Sequence, residues 1–161
     1  MIKVLFVCLG NICRSPMAEF IFKDMVKKNG IEKQFYIASS ATSYEEIGND
    51  MYYYAKEKLD EMGIPYKKRK ATRIEKEDYK KYDYIIGMEE RNIQNIIRIV
   101  GQDKENKIYR LLDFSKKPRD IADPWYTGNF TVTYNDIVEG CTAFLNYLKE
   151  KNEIMWYNSK I

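Results

Sequence analysis

The chain has 161 residues, of which 45% are apolar and 32% charged, and its formal net charge is +3. This length suffices for one domain with a buried core, and no run of about 18 apolar residues predicts a membrane span. The one dense basic run, residues 67–70, forms no basic face with interleaved aromatic residues. We therefore expect no nucleic-acid partner and no membrane partner.

The cysteine content and the N-terminus bear on the cellular compartment. Three cysteines are few and odd in number, which argues against a disulfide scaffold and favours a reducing compartment. The first residues lack the basic segment, long apolar core and small-residue cleavage site of a signal peptide. We therefore expect a cytoplasmic protein. The absence of repeats, low-complexity tracts and linkers predicts one domain over residues 1–161.

Hydrophobic periodicity predicts strands and helices that alternate along the chain. In order, we expect a strand over 2–7, a helix over 16–28, a strand over 34–39, a helix over 50–62, a short helix over 75–80, a strand over 82–88, a helix over 89–100, a strand over 107–112 and a long helix over 131–150. Such alternation with short connections implies a parallel sheet with right-handed crossovers. The expected fold class is α/β: a single domain with a four-stranded parallel sheet, helices on both faces and a phosphate-binding loop after the first strand.

The end of the first strand contains the most informative motif of the chain. The strand ends at Cys8, and five residues separate it from Arg14, which is followed by Ser15-Pro16 at an expected helix start, with Ser15 as the N-cap. A strand, a short loop and a helix N-terminus together present backbone N–H groups and positive potential to an anion. The guanidinium of Arg14 matches two phosphate oxygens, and the same field stabilises a thiolate at Cys8. The pattern is typical of a phosphatase site in which a thiolate attacks phosphorus.

A structural interpretation of these residues stays open at this point. Cysteine is a common core residue, and a Cys-x5-Arg spacing also arises by chance. The order of strand, loop, Ser-Pro and helix favours the catalytic interpretation. Gly10 and Asn11 stand where a positive φ angle or side-chain bonding to the backbone is needed. Cys141 occupies an apolar position of the last predicted helix, and we expect it to pack in the core.

Two motifs give the chain a resemblance to a known family. Residues 4–19, VLFVCLGNICRSPMAE, resemble the signature of the low-molecular-weight protein tyrosine phosphatases, and residues 123–126, Asp-Pro-Trp-Tyr, resemble their second motif. Residues 38–43 and 77–88 are similar to the family's Ser-rich strand end and its central helix and strand, so the resemblance covers nearly the whole chain. It implies hydrolysis of a tyrosine-phosphorylated protein or a small aryl phosphate, with inorganic phosphate as product. We expect a monomer that uses no cofactor and no metal.

The resemblance assigns a role to each part of the site. Cys8 is the nucleophile that forms a phosphocysteine, and Asp123 donates a proton to the leaving phenolate and later accepts one from water. Asp120, three residues earlier, is a competing candidate for this acid, and a surface turn is the structural alternative for either carboxylate. We expect the loop amides and the guanidinium of Arg14 to bind phosphate. The expected phosphate-binding residues are Leu9, Gly10, Asn11, Ile12, Cys13, Arg14 and Ser15.

Other residues of these motifs are expected to support the site. Asn11 braces the loop from inside and Ser39 bonds to it, while the Ser15 hydroxyl donates to the sulfur of Cys8. The resemblance implies that Cys13 closes a reversible disulfide with Cys8, and a passive loop cysteine is the open alternative. We expect a flat phenyl ring to bind in a substrate pocket walled by Trp125, Tyr126 and Tyr44.

The chain departs from the family pattern at two positions. Glu45 stands where an aromatic residue usually lines the pocket mouth, with Tyr44 one place earlier, so the mouth is expected to contain Glu45 and Glu46. An acidic mouth disfavours acidic phosphopeptides. Arg69 stands where many relatives have a histidine that braces the loop, and this chain contains no histidine. We therefore expect a different bracing scheme.

Two other functions share the Cys-x5-Arg loop. An arsenate reductase needs two further cysteines a short distance apart, whereas only Cys141 remains once Cys8 and Cys13 are assigned to the loop. A phosphate-binding module or a phosphocysteine carrier needs no proton donor for a phenolate, so Asp123 argues against both. The sequence therefore predicts a protein tyrosine phosphatase.

Overall fold

Four parallel strands form the sheet at the centre of the fold. The structure, a computed structural model, describes residues 1–155. The strands are β1 (Ile2–Cys8), β2 (Phe35–Ala41), β3 (Tyr84–Gly87) and β4 (Ile108–Arg110), and their order across the sheet is β2-β1-β3-β4. Every pair of neighbours is parallel. The predicted fold class is confirmed.

Six α-helices connect or follow these strands in the described part of the chain. They are α1 (Arg14–Lys28), α2 (Tyr53–Glu61), α3 (Asp78–Lys81), α4 (Glu90–Val100), α5 (Pro124–Thr127) and α6 (Phe130–Glu150), with 3-10 turns at Glu32–Gln34 and Leu111–Phe114. Each predicted strand and helix is present, with ends shifted by up to three residues, and α5 is additional. None of the helices in residues 1–155 is long and apolar enough to cross a membrane.

The continuous hydrophobic run of β1 exists because the strand is buried on both faces. Successive side chains of a strand point to opposite faces. Val4 and Phe6 therefore join the larger core cluster with α1 and α6, whereas Leu5 and Val7 join a second cluster with Ile96 of α4. Helices consequently cover both faces of the sheet, as expected.

The carboxyl ends of β1 and β3 lie side by side because the two strands run parallel in register, with Val7 opposite Gly87. The backbone N–H of Ile121 donates to the carbonyl of Met88 at 2.9 Å, which ties the segment after β4 to the same edge. Both sequence motifs therefore meet at one rim, where ligands bind in open parallel sheets. The prediction of one domain over 1–161 includes residues 156–161, which lie outside the described residues.

Candidate active site

The loop between β1 and α1 has its carbonyl groups tied to the surrounding structure. The carbonyls of Cys8, Leu9 and Ile12 accept backbone N–H groups from Thr42, Ser43 and Tyr52 at 3.0, 3.0 and 2.8 Å, respectively. By contrast, the N–H groups of residues 9–13 donate to no atom within residues 1–155. A loop with bonded carbonyls and free donors, ending at a helix N-terminus, is suited to an oxyanion.

The sulfur of Cys8 lies at the floor of this loop, and the residue is 3% exposed. The Ser15 hydroxyl is 3.0 Å from the Cys8 Sγ atom, and the Ser15 backbone N–H donates to the same sulfur at 3.4 Å. The expectation that Ser15 caps the helix is wrong: α1 begins at Arg14, with Cys13 in the N-cap position. Ser15 thus sits inside the first turn, where its side chain faces Cys8 instead of the helix end.

Asn11 is fully buried and holds the loop in a left-handed backbone conformation, with φ of 58°. Its amide nitrogen donates to Ser15 Oγ at 2.8 Å and to Ser39 Oγ at 3.0 Å. Ser39 in turn donates to Glu19 at 2.6 Å. The amide oxygen of Asn11 accepts from Arg69 Nη2 at 2.5 Å. The structure therefore brings Asn11, Ser15 and Ser39 together as predicted, and Arg69 is an additional partner of Asn11.

The guanidinium of Arg14 is buried beneath the loop, and three oxygen partners fix its position. Its Nη1 atom donates to the Ile121 carbonyl at 2.9 Å and lies 3.3 Å from Glu89 Oε2. Its Nη2 atom lies 3.3 Å from Asp123 Oδ2. Because a guanidinium is planar, these contacts set the direction in which the fork faces a ligand.

Asp123 and Asp120 lie in different surroundings. Asp123 begins α5 as its N-cap, accepting the Trp125 N–H at 3.0 Å, and contacts Arg14 in the site. Asp120 accepts the Glu90 N–H at 2.9 Å and pairs with Arg110 at 3.0 Å. Of the two candidates for the acid, the structure brings only Asp123 into contact with Arg14.

A cavity of about 170 Å³ lies above these residues. Its lining consists of Cys8, Leu9, Gly10, Ile12, Cys13, Arg14, Glu45, Glu46, Asp123, Trp125 and Tyr126. Trp125 packs on Tyr52 with ring centroids 4.8 Å apart, whereas Tyr126 is 78% exposed.

Tyr44 is absent from this lining, contrary to the expectation that it walls the pocket. Its ring stacks on the guanidinium of Arg73, 4.3 Å from the ring centroid, in a neighbouring depression. Glu45 and Glu46 line the pocket instead. The Glu46 side chain packs against Gly10: a Cβ atom added to Gly10 would lie 3.4 Å from the Cγ atom of Glu46. The mouth is therefore acidic, as the sequence predicts.

The two other cysteines are both buried. Burial raises the pKa of the Cys13 thiol well above its ordinary value, and the neighbouring charges of Cys8 and Asp123 act in the same direction. Burial also raises the pKa of Cys141, which packs in the larger core cluster as expected. Cys13 lines the same pocket as Cys8, and its raised pKa keeps its thiol protonated at neutral pH.

Comparisons with known proteins match nearly the whole chain to one family. The family model described as low molecular weight phosphotyrosine protein phosphatase matches residues 3–154. The low molecular weight protein-tyrosine-phosphatase YfkJ of Bacillus subtilis is 38% identical, over 96% of this chain and 100% of its own. The human low molecular weight phosphotyrosine protein phosphatase is 40% identical, over 89% of this chain and 93% of its own. The chain belongs to the low molecular weight protein tyrosine phosphatase family.

Solved structures agree with this family assignment. The crystal structure of YfkJ superposes with a TM-score of 0.89 at 39% identity, covering 94% of this chain and 96% of that chain. A structure titled drosophila arginine phosphatase superposes with a TM-score of 0.83 at 29% identity, covering 92% of this chain and 98% of that chain. The solved structures with this fold therefore include one described as an arginine phosphatase.

Sequence reasoning missed two carboxylates that this phosphatase places around its loop. Glu89 follows β3 at the same edge of the sheet as Cys8 and contacts Arg14. Its position just after a buried parallel strand could have indicated from the sequence that it lies at the site. Glu19 lies one turn into α1 and accepts from Ser39, and Lys23 pairs with it at 2.6 Å. Helical spacing places Glu19 on the face of α1 next to Ser15, but nothing in the sequence marks its partner on β2.

Proposed function

We propose that this protein hydrolyses phosphotyrosine and other aryl phosphate monoesters through a phosphocysteine intermediate. The observation that supports the proposal is a single pocket lined by Cys8, Arg14 and Asp123, with the sulfur bonded to Ser15 at its floor. These groups supply the nucleophile, the clamp for the non-bridging oxygens and the proton donor that such a reaction needs.

In the first step the Cys8 thiolate attacks phosphorus and forms the S–P bond while the P–O bond to the phenol breaks. Asp123 gives its proton to the departing phenolate oxygen. The free N–H groups of residues 9–13 and the Arg14 fork bind the three non-bridging oxygens, whose charge shifts in the transition state. The Arg14 Nη2 atom lies 3.3 Å from Asp123 Oδ2. In the proposed complex Arg14 binds the non-bridging oxygens of the phosphoryl group, and Asp123 faces the leaving oxygen.

In the second step water attacks phosphorus, the S–P bond breaks and inorganic phosphate is released. The Asp123 carboxylate accepts the proton of the attacking water. The thiolate that leaves accepts the Ser15 hydroxyl and the Ser15 N–H, both already directed at the sulfur. Hydrogen bonds to the charged form favour that form, so Ser15 makes Cys8 a better leaving group.

We also propose that the enzyme acts in the cytoplasm, because its three cysteines, Cys8, Cys13 and Cys141, are all free, which suits a reducing compartment. We further propose that it acts as a monomer and that its substrates are tyrosine-phosphorylated proteins.

A second candidate substrate is phosphoarginine. Glu45 and Glu46 line the same pocket as Asp123, and carboxylates there would complement a cationic guanidinium attached to the phosphoryl group. The structural relative titled drosophila arginine phosphatase shares the fold. Phosphotyrosine is favoured because the Trp125 ring, 54% exposed, is available to a phenyl group and because the two relatives compared above by sequence are named tyrosine phosphatases.

Hydrolysis of matched phosphopeptides tests this proposal. We expect the wild-type enzyme to release phosphate from a phosphotyrosine peptide, without added metal, faster than from the same peptide containing phosphoarginine or phosphoserine. Cys8→Ser should abolish turnover yet still bind the phosphotyrosine peptide, because serine is not ionised at neutral pH. Faster release from phosphoarginine would favour the second candidate, and turnover by Cys8→Ser would contradict the mechanism.

The structure gives a sharp test of the acid. Asp123→Asn removes the proton donor and should lower kcat by about 10²–10⁴-fold for phosphate esters of poor leaving groups. Esters whose phenol leaves readily as an anion should be affected less. Asp120→Asn is the matched control. Its kcat should vary with the leaving group as the wild-type kcat does, because Asp120 bonds Arg110 and the Glu90 N–H. A leaving-group series on both variants decides between them, and a steeper series for Asp120→Asn would mean that the acid is misassigned.

Cys13 is proposed to protect the nucleophile. Peroxide oxidises the Cys8 thiolate to a sulfenic acid with loss of hydroxide, and the Cys13 sulfur then displaces water from it to form a disulfide. Because burial raises the pKa of Cys13, this second step involves a thiol that is largely protonated at neutral pH.

Reactivation after peroxide treatment measures this protection. The wild-type enzyme should regain activity on addition of dithiothreitol, whereas Cys13→Ser should regain less because its sulfenic acid oxidises further. Cys141→Ser is the control, since that thiol is buried in the core. Mass spectrometry of the oxidised wild-type protein should show a Cys8–Cys13 linkage, and equal recovery of Cys13→Ser without any such linkage would disprove the role.

A further inference from the structure

A groove of about 790 Å³ lies beside the catalytic pocket, and the side chain of Trp125 lines both cavities. Residues of α2 form one side of the groove, and residues of α5 and the start of α6 form the other. Cys8, Arg14 and Asp123 line the pocket and not the groove. The groove therefore has no part in the proposed reaction steps, although it opens next to them.

Aromatic rings in mutual contact form the part of the groove that adjoins the pocket. The centroid of the Tyr52 ring lies 4.8 Å from that of Trp125 and 5.5 Å from that of Tyr54. The Phe130 ring lies 6.1 Å from the Tyr52 ring. The backbone N–H of Tyr52 donates to the carbonyl of Ile12 at 2.8 Å, so the rings are fixed relative to the phosphate-binding loop.

Two of these rings are half-exposed, with Trp125 at 54% and Tyr54 at 50%. Neighbouring apolar side chains that stay exposed on a folded domain mark an interaction site. Aromatic rings give such a site a large apolar contact area with little conformational freedom to lose. The rings therefore suit an apolar side chain of a bound polypeptide.

The rest of the groove carries an excess of negative charge. Glu57 and Glu61 line it together with one cation, Lys58, whose Nζ atom pairs with Glu61 at 2.9 Å. Within residues 1–155 Glu57 forms no ion pair, and neither do Glu45 and Glu46 at the mouth of the catalytic pocket. The surface that a substrate meets on leaving the pocket is therefore aromatic and acidic.

We propose that this groove binds the substrate polypeptide next to its phosphotyrosine and selects for an apolar residue there and for a Lys or Arg farther along the polypeptide. The inference rests on the proposed function, since it concerns the polypeptide that carries the phosphotyrosine. A polypeptide that leaves the pocket passes onto the rings because Trp125 belongs to both cavities. The carboxylates beyond the rings attract cations and repel acidic side chains.

Helix geometry gives the spacing of the basic residue. The helix α2 begins at Tyr53, directly after the residue tied to the loop. At a rise of 1.5 Å per residue, Glu57 and Glu61 lie about 6 and about 12 Å farther along the helix axis. An extended polypeptide covers these lengths in about two and about four residues. The basic residue is therefore expected about two to four positions beyond the phosphotyrosine.

Steady-state kinetics with matched phosphotyrosine peptides tests the groove. The peptides have the same apolar residue next to the phosphotyrosine and differ only in Lys or Glu at one of the positions two to four residues away, on either side. For the best-placed position, the wild-type enzyme should have a KM about fivefold lower for the Lys peptide than for the Glu peptide. The difference should shrink at high salt, because ions screen exposed charges.

Two variants of the groove should change KM for peptides and leave kcat unchanged. Glu57→Lys should reverse the preference between the two peptides, and Tyr54→Ala should raise KM for both by about tenfold. Turnover of nitrophenyl phosphate, which is too short to reach the groove, should stay the same. Glu32→Lys and Tyr36→Ala are the matched controls, because both positions lie at the amino end of β2, at the edge of the sheet opposite the pocket. If Tyr54→Ala does not fold, Glu57→Lys is decisive by itself.

Equal KM values for the Lys and Glu peptides at every position would overturn the inference, as would equal effects of the groove variants and their controls. A second copy of the chain is the competing occupant. A dimer detected by light scattering that Tyr54→Ala dissociates, with KM for peptides unchanged, would also overturn it.

The two proposals fail separately in this design. Hydrolysis of nitrophenyl phosphate and of all the phosphotyrosine peptides without any preference would contradict the groove alone. An enzyme that hydrolyses none of these compounds would contradict the proposed function. Binding of the same peptides, followed by fluorescence anisotropy, would then still have to show the preference for Lys and its reversal in Glu57→Lys, and equal binding would overturn the groove as well.

Discussion

The geometry of the site depends on the four side-chain hydrogen bonds of one buried amide, Asn11. A left-handed conformation at a residue other than glycine costs about 1–2 kcal/mol. Hydrogen bonds in a folded protein contribute about 1 kcal/mol each, and an unsatisfied buried partner costs about 1–3 kcal/mol. Four satisfied bonds therefore outweigh the strain. The same amide connects α1, β2 and the segment after α2, so the loop is held by the sheet and its flanking segments together.

The charge balance of the pocket depends on Arg14. Its guanidinium contributes one positive charge, while Glu89 and Asp123 each place a carboxylate 3.3 Å from it. In the proposed mechanism a phosphate dianion that enters this pocket is repelled by those carboxylates, so its binding depends on Arg14 and on the free N–H groups of residues 9–13.

Hydrophobic periodicity and the two motifs were enough to predict the sheet and the meeting of Cys8, Arg14 and Asp123. The residues within each motif are close in sequence, and parallel strands bring their carboxyl ends to one edge, so this part follows from local rules. Part of the bracing follows from the resemblance, since Asn11 and Ser39 bond as expected and position 69 was marked as a bracing position. The individual contacts of Glu19, Glu89 and Arg69 could not be predicted. These residues reach the site from α1, from the segment after β3 and from the connection between α2 and α3, through packing that no local pattern records.

Two expectations failed for identifiable physical reasons. Ser15 was predicted as the helix cap, but its hydroxyl bonds Cys8 and Asn11, and the helix starts at Arg14, two residues earlier than predicted, without a side-chain cap. Tyr44 was predicted in the pocket, but a cation–π contact with Arg73 holds its ring in the neighbouring depression. Ser15 thus makes the contact with Cys8 that the sequence also predicts but does not cap the helix, and Tyr44 contacts Arg73 instead of the pocket.

Direct detection of the covalent intermediate tests the central claim most directly. The enzyme is mixed with a phosphotyrosine peptide, denatured by a rapid quench within the first turnover and analysed by mass spectrometry and ³¹P NMR. The mechanism predicts a phosphoryl group on the sulfur of Cys8 that appears together with a burst of dephosphorylated peptide. A phosphoryl group on any other residue, or steady turnover with no phosphorylated enzyme at any quench time, would contradict the mechanism.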